Sequence, residues 1–80
     1  MLGKALLLAT LTVSGNGDPQ INSTSTLLDS AEECPRAMLH VLEHHNLTNN
    51  VYSKGQGYIK ARKAVPPGAT VNLTVTCKGL

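Results

Sequence analysis

The chain contains no tryptophan and no phenylalanine, and its only aromatic residues are Tyr52 and Tyr58. Any core must therefore be built from aliphatic side chains. A chain of 80 residues allows one domain, and a domain of this size buries too little apolar surface to be more than marginally stable unaided. No apolar run reaches the roughly 18 residues that a membrane-spanning helix needs.

Sequence signatures of catalysis and of metal binding are also missing. There is no nucleophile elbow, no phosphate-binding loop and no dinucleotide-binding fingerprint. Glu32 and Glu33 are typical of first-turn charges that complement a helix dipole. His40 and His44 share one helix face, but two ligands do not form a structural zinc site. We therefore predict no enzymatic activity, no metal site and no cofactor.

Residues 1–15 have two interpretations. Lys4 is followed by an apolar stretch and then by the small residues Ser14 and Gly15, which is the layout of a short secretory signal peptide. The stretch also alternates like a half-buried strand, with one face formed by Leu7, Ala9, Leu11 and Val13. We predict a signal peptide over residues 1–15, with a first strand as the alternative, and a single small α+β domain over residues 16–80.

Three Asn-x-Ser/Thr sequons favour an exported protein. They begin at Asn22, Asn46 and Asn72. Asn22 falls in a predicted polar loop, Asn46 follows a predicted helix, and Asn72 falls on the outward face of a predicted strand, so each could carry a glycan without disturbing a core. We therefore predict an extracellular glycoprotein.

Cys34 and Cys77 are the only cysteines, and their spacing fits no Cys-x-x-Cys metal or redox motif. In an oxidising compartment the expected product is one disulfide. Closing a loop of this length stabilises the fold by about 4 kcal/mol on the chain-entropy estimate. That is comparable to the whole free energy of unfolding of a small domain. Two buried free thiols in a cytosolic protein are the alternative.

A helix is predicted to begin near Ser30. Ser30 and Glu33 have capping-box spacing, and Pro35 suits the first helical position. One face of this helix combines Cys34, Met38, Val41, Leu42 and His45. Asn46 suits a left-handed C-cap. Residues 16–29, which are rich in Gly, Asn, Ser and Thr, are predicted to form a loop.

A β-hairpin is predicted beyond the helix, with strands over residues 58–65 and 70–77 around a Pro-Pro-Gly turn. The last strand alternates, and its inward side chains are Val71, Leu73, Val75 and Cys77. Lys63 falls on the apolar side of the preceding strand, which predicts an edge strand protected by an inward charge. Both cysteines then face one interface. The predicted fold is α+β, with one helix on a two- or three-stranded antiparallel sheet and one disulfide.

Charge is unevenly distributed along the chain. Residues 16–45 carry five acids and one base, whereas residues 46–80 carry five bases and no acid. The hairpin is therefore basic, and its outward face carries Tyr58, Lys60 and Arg62. An aromatic ring beside two cations predicts contact with an anionic partner. The candidate partners are an acidic protein, a glycan and a lipid head group. Nucleic acid is disfavoured because the formal net charge is only +2.

These observations predict a small secreted protein of effector, toxin-like or ligand type, which binds its partner through the basic hairpin face. The alternative is a structural module or fragment of a larger cell-surface or repeat protein. A short echo favours this alternative slightly, because Leu-Thr-Val occurs at residues 11–13 and again at residues 73–75. A solvated face that only aids solubility is the remaining interpretation of the charges.

Two short resemblances accompany these patterns. Residues 65–75 resemble the closing hairpin of PASTA modules, the cell-wall-binding repeats of bacterial kinases and penicillin-binding proteins. A helix that opens with Cys34 and is tied to Cys77 at the end of the last strand resembles small fungal killer-toxin and effector folds. PASTA repeats usually lack cysteine, and the fungal folds usually carry more of it. Neither resemblance implies a site residue, and no family is assigned.

Overall fold

Five antiparallel strands form one sheet, and a single helix packs on one of its faces. The computed structural model describes residues 3–15 and 17–80; Met1, Leu2 and Asn16, which belong to the segments predicted above, lie outside the described residues. The strands are β1 (Ala5–Gly15), β2 (Gly17–Leu28), β3 (Val51–Gly55), β4 (Tyr58–Val65) and β5 (Ala69–Gly79). Their order in the sheet is β2-β1-β5-β4-β3. The predicted α+β class is confirmed, but the prediction of two or three strands is wrong.

The helix forms where its local signals predict it. A 3-10 turn over Ala31–Glu33 leads into α1 (Cys34–His44), which has a proline in its first turn. The Ser30 side chain accepts a hydrogen bond from the Glu32 amide at 3.1 Å, and the Glu33 carboxylate accepts one from the Ser30 amide at 3.1 Å. These bonds satisfy amide groups that have no partner inside the helix. Asn46 follows the helix with φ of 58°, which confirms the left-handed cap.

The core lies between α1 and the middle of the sheet, and it is aliphatic throughout. Its buried residues are Ala5, Leu7, Ala9, Met38, Leu42, Leu47, Ala61, Leu73, Val75 and Cys77. The inward set predicted for β5 is confirmed, since Leu73, Val75 and Cys77 are buried and Val71 packs against them. Leu47, which the periodicity did not single out, is 1% exposed because the turn after α1 folds it back beneath the helix.

β1 is an inner strand of the sheet, between the edge strand β2 and the central strand β5. It pairs with β2 on one side and with β5 on the other. It supplies three of the ten buried core residues, Ala5, Leu7 and Ala9. The strand interpretation of residues 5–15 therefore describes the conformation of this segment. Cleavage after Gly15 stays a prediction, and it would remove the strand that joins β2 to the rest of the sheet.

The prediction of a loop over residues 16–29 is wrong, because Gly17–Leu28 is the longest strand. β2 is an edge strand, and all its side chains are exposed except that of Leu28, which packs on the core. A strand that is exposed on both faces does not need alternating apolar and polar residues. The Asn, Ser and Thr residues of β2 therefore have the composition that is typical of a loop. The hydrogen bonds to β1, rather than side-chain burial, define this strand.

β3 covers the other side of β4 over residues 58–61, so the prediction of an edge strand is wrong for that part of β4. Lys63 lies beyond the last register pair with β3, where β4 does form the edge of the sheet. Lys63 pairs with Val71 on the helix side of the sheet, yet it is exposed. The helix has 11 residues and rises about 16 Å, whereas β5, also of 11 residues, extends about 36 Å. The helix thus leaves one end of the sheet uncovered, and the molecule is elongated, 49 × 23 × 18 Å.

The predicted disulfide is confirmed. Cys34 and Cys77 are bonded across a sequence separation of 43, with their Cα atoms 5.8 Å apart. The bond joins the first turn of α1 to the end of β5, so it fixes the helix over the covered half of the sheet.

We expect the double variant Cys34→Ala/Cys77→Ala to lose about 4 kcal/mol of unfolding free energy, because the denatured chain regains the entropy of the closed loop. Urea unfolding followed by circular dichroism measures this difference. Both thiols of the untreated native protein should resist alkylation. Free thiols, or an unchanged urea midpoint, would contradict the role given to the disulfide.

We expect a chain reduced to residues 16–80 to lose its cooperative thermal transition, since it lacks β1 and three core side chains. Circular dichroism melts and amide NMR dispersion test this expectation. A truncated chain that folds cooperatively with the native disulfide would instead support removal of residues 1–15 as a signal peptide. Intact mass of the protein from its native source would show whether cleavage after Gly15 takes place.

Candidate anion-binding face

The sheet face that points away from α1, called the outer face here, carries the three residues predicted to contact an anion. In the β4–β5 register, Tyr58 lies opposite Thr76, Lys60 opposite Thr74, and Arg62 opposite Asn72. These positions alternate with Ile59 and Ala61, which face the core. Lys60 and Arg62 are exposed and Tyr58 is half-buried.

Arg62 is held between two neighbours on this face. Its guanidinium carbon lies 4.8 Å from the centroid of the Tyr52 ring, within the range of a cation–π contact. Its Nε donates a hydrogen bond to Asn72 Oδ1 at 2.9 Å. Nε is therefore engaged by the protein, and the outer N–H groups of the guanidinium offer the fork geometry that binds carboxylate or sulfate oxygens in pairs.

Tyr52 belongs to this face, although the sequence analysis did not select it. It lies in β3 at an irregularity of the register between Val51 and Ser53. An extra residue at such a bulge changes which side the following side chains point to, so alternation along the sequence does not assign a face to Tyr52. Composition was the one signal that pointed to Tyr52, because Tyr52 and Tyr58 are the only Phe, Trp or Tyr residues in the chain.

Tyr58 lies across β3, where Gly55 leaves room for its ring. A Cβ atom built on Gly55 would lie 2.6 Å from Tyr58 Cε1, closer than two carbon atoms approach without displacement. The Tyr58 hydroxyl lies 3.4 Å from Ser53 Oγ, at the long end of the hydrogen-bonding range. We call the group Tyr52, Tyr58, Lys60, Arg62 and Asn72 the basic face.

The two layers of the molecule carry opposite charges. The strands contain five cations, Lys54, Lys60, Arg62, Lys63 and Lys78, and one acid, Asp18. The remaining acids lie in or beside the helical layer, at Asp29, Glu32, Glu33 and Glu43. Within residues 3–15 and 17–80 the one ion pair closer than 4.0 Å joins Lys4 to Asp29, at 3.8 Å. The acids of the helical layer therefore do not neutralise the cations of the basic face through direct contact.

Hydroxyl groups surround the basic face on the same side of the sheet. Register places Thr70, Thr74 and Thr76 of β5 and Thr10 and Thr12 of β1 on the outer face. At its far side, Thr10 Oγ1 lies 3.3 Å from Ser23 Oγ of β2. Each hydroxyl can both donate and accept a hydrogen bond, so this part of the sheet is a broad polar surface.

On the helix side, an open groove of about 600 Å³ runs between α1 and the β3–β4 turn. Its walls are mainly apolar and include Cys34, Pro35, Met38, Leu39, Ile59 and Cys77. Lys54 is the one charged residue among those that line it. The residues that line the groove do not include a paired acid and base of the kind that catalyses proton transfer.

His40 and His44 are exposed on α1, as predicted, and His45 is half-buried at its end. Over the described ranges, no three His, Cys, Asp or Glu side chains lie close enough together to hold a metal ion. None of the described helices is long and apolar enough to cross a membrane.

The three sequons lie in different environments. Asn22 is exposed on β2 rather than in the predicted loop, and Asn46 is exposed after α1 as predicted. Asn72 lies on the outward side of β5, as predicted, but it is half-buried and accepts the hydrogen bond from Arg62. Glycosylation of each stays a prediction. A glycan on Asn72 would lie on the basic face itself, so use of that sequon and binding through the face exclude each other.

We expect Gly55→Ala to displace the Tyr58 ring from the basic face, because the added methyl group would overlap with Cε1. NMR shifts of the Tyr58 ring, together with a thermal melt that falls by a few degrees, measure this effect. Gly68→Ala is the matched control, since a Cβ at Gly68 meets nothing within 4 Å. Unmoved Tyr58 resonances in Gly55→Ala would contradict the packing described here.

Comparisons with protein-family models, with curated proteins and with solved structures find no match to this chain. The geometry of the basic face therefore carries the functional argument.

Proposed function

We propose that this protein is an exported binding protein that contacts an acidic glycan through the basic face. One observation carries the proposal. Both aromatic side chains of the chain and the cations Lys60 and Arg62 lie together on one solvent-facing part of the sheet, with Arg62 held by Tyr52 and Asn72. Preorganised cations lose less side-chain entropy on binding than free ones. The five residues of the basic face include no carboxylate and no histidine, which supports binding without catalysis.

The surroundings of the basic face favour a glycan over a lipid surface. The threonine hydroxyls of β5 and β1 match the hydrogen-bonding needs of sugar hydroxyls, and the tyrosine rings offer flat apolar contact. Membrane contact uses apolar side chains that enter the lipid. The exposed leucines and isoleucine of the outer face lie on β1 and β2, and β5 with its threonines separates them from β4.

Export to an oxidising compartment is part of this proposal. The disulfide supports it, because such bonds persist outside the cytosol in most organisms. The sequons at Asn22 and Asn46, which lie away from the basic face, point the same way. Export by removal of residues 1–15 fits the fold less well than export with β1 retained, since β1 joins β2 to β5 and supplies three core residues.

A structural module of a larger protein is the second candidate function. The free edge of β2 favours it, because residues 20–28 of this edge strand carry no charge and can extend a sheet into a neighbouring unit. The intact gene distinguishes the two candidates. Further copies of the β4–β5 hairpin pattern would indicate a repeat array.

We expect Lys60→Glu/Arg62→Glu to weaken binding to a heparin oligosaccharide by about tenfold or more, since each hydrogen bond to a charged group contributes about 1.5–3 kcal/mol. Isothermal titration calorimetry at low and at physiological salt measures this loss. Lys54→Glu/Lys63→Glu is the matched control, because it makes the same charge change on the helix side of the sheet. Neither variant should shift the thermal midpoint by more than a few degrees, since all four side chains are exposed.

The partner class is decided by parallel titrations with neutral dextran, with anionic phospholipid vesicles and with a poly-glutamate peptide. Binding to heparin alone among these supports the glycan assignment. Equal losses in the two double variants would mean that net charge, rather than the basic face, determines binding. Preference for the vesicles or for the acidic peptide would move the proposal to that class of partner.

A further inference from the structure

The free edge of β2 is unlike the other edge of the sheet. β3, at the opposite edge, has five residues, a register irregularity and the charged Lys54, which are features that discourage pairing with other strands. β2 has 12 residues. Between residues 20 and 28 it contains no charge, no proline and no glycine. Its outward backbone groups therefore form an unprotected template for another strand.

The side chains of β2 are self-complementary about Thr24. When two copies of the strand run antiparallel with Thr24 opposite Thr24, Ile21 of one copy faces Leu27 of the other. Both positions lie on the outer face, where their register partners are Thr12 and Leu6. Ile21 is 65% exposed and Leu27 is 56% exposed, so each is a large apolar side chain without cover in the single chain.

The remaining pairs of this register are also compatible. Asn22 faces Thr26, and Ser23 faces Ser25, so polar side chains meet polar side chains. No like charges meet, because residues 20–28 carry none. The ends of the paired segment are defined as well. Pro19 has no amide hydrogen to donate, and the exposed carboxylate of Asp29 follows Leu28.

We propose that β2 pairs with β2 of a second copy of this chain, antiparallel and centred on Thr24, to form a ten-stranded sheet. The two-fold axis of such a pair is perpendicular to the sheet, so the contact is self-complementary and closed. The helix layers of both copies then lie on one side and both outer faces on the other. The evidence for the dimer comes from β2 alone, so the dimer does not depend on the proposed function.

The dimer has one consequence that does rest on the proposed function. The two copies of β4 would be separated by seven strand spacings, or about 34 Å before twist. Both basic faces would point to the same side of the sheet. A polymeric glycan that reaches both would bind with the added strength of two linked sites, whereas a short oligosaccharide would not.

Sedimentation velocity of the oxidised, unglycosylated full chain tests the dimer. The 8.4 kDa chain should move from monomer to a species of twice that mass between about 10 and 300 µM, since a single edge-to-edge contact buries less surface than an obligate interface. Thr24→Lys and Thr24→Glu each place like charges opposite one another, and each should weaken association by about tenfold or more. An equimolar mixture of the two variants should restore the dimer.

Restoration in the mixture excludes misfolding as the cause of the loss, because a misfolded variant would not recover on mixing. Lys54→Glu on the opposite edge is the control, and it should leave association unchanged. A wild-type chain that is still monomeric at about 300 µM, the upper end of the range expected for this contact, would overturn the proposal. Dimers that Thr24→Lys does not weaken, or oligomers that grow beyond two copies, would overturn it as well. None of these outcomes depends on glycan binding, so the dimer and the proposed function can fail separately.

Discussion

The contact between one short helix and the middle of the sheet supports everything else in this molecule. It is formed by aliphatic side chains alone, since the core contains no aromatic ring. Such a core is small for the chain-entropy loss that folding involves. The bond from Cys34 to Cys77 reduces that loss by restricting the unfolded chain, and it joins the helix to β5 next to the buried Val75. The covalent tether and the apolar contact therefore act at the same interface.

Because the helix covers only one face and one end of the sheet, most of the sheet surface remains exposed. On the helix side, the half of the sheet that α1 covers packs against the helix and forms the core. The outer face carries cations, both tyrosines and many hydroxyl groups, with the acids concentrated in the helical layer. Lys60 and Arg62 of the outer face are separated from the acids of the helical layer, which leaves a positive potential on that face. An anionic partner would approach the outer face for that reason.

Prediction succeeded where the signal is local. The capping residues Ser30 and Glu33 lie three positions apart, and their bonds form within one turn. The alternation of β5 is clear because one of its faces is buried at Leu73, Val75 and Cys77 while the other is not. Prediction failed for β2, whose side chains are exposed on both faces, and for the first half of β4, where the edge assignment depends on β3 lying beside it. For the basic face, three of five residues were identified; Tyr52 was missed at a bulge, and Asn72 was selected only as a sequon.

What the sequence determined by itself is the helix with its caps, the C-terminal hairpin, the pairing of two cysteines and the division of charge between the two halves of the chain. These depend on residue types and on spacings of a few positions. The tertiary structure alone decided that β1 lies between β2 and β5, that β2 is a free edge of the sheet, and that Arg62 meets Tyr52 and Asn72. The place of β1 and β2 results from backbone hydrogen bonds between β1 and β5, which are distant in sequence, and the contacts of Arg62 follow from the register that such bonds set among β3, β4 and β5. Such bonds do not depend on side-chain identity, so no local pattern of residues records them.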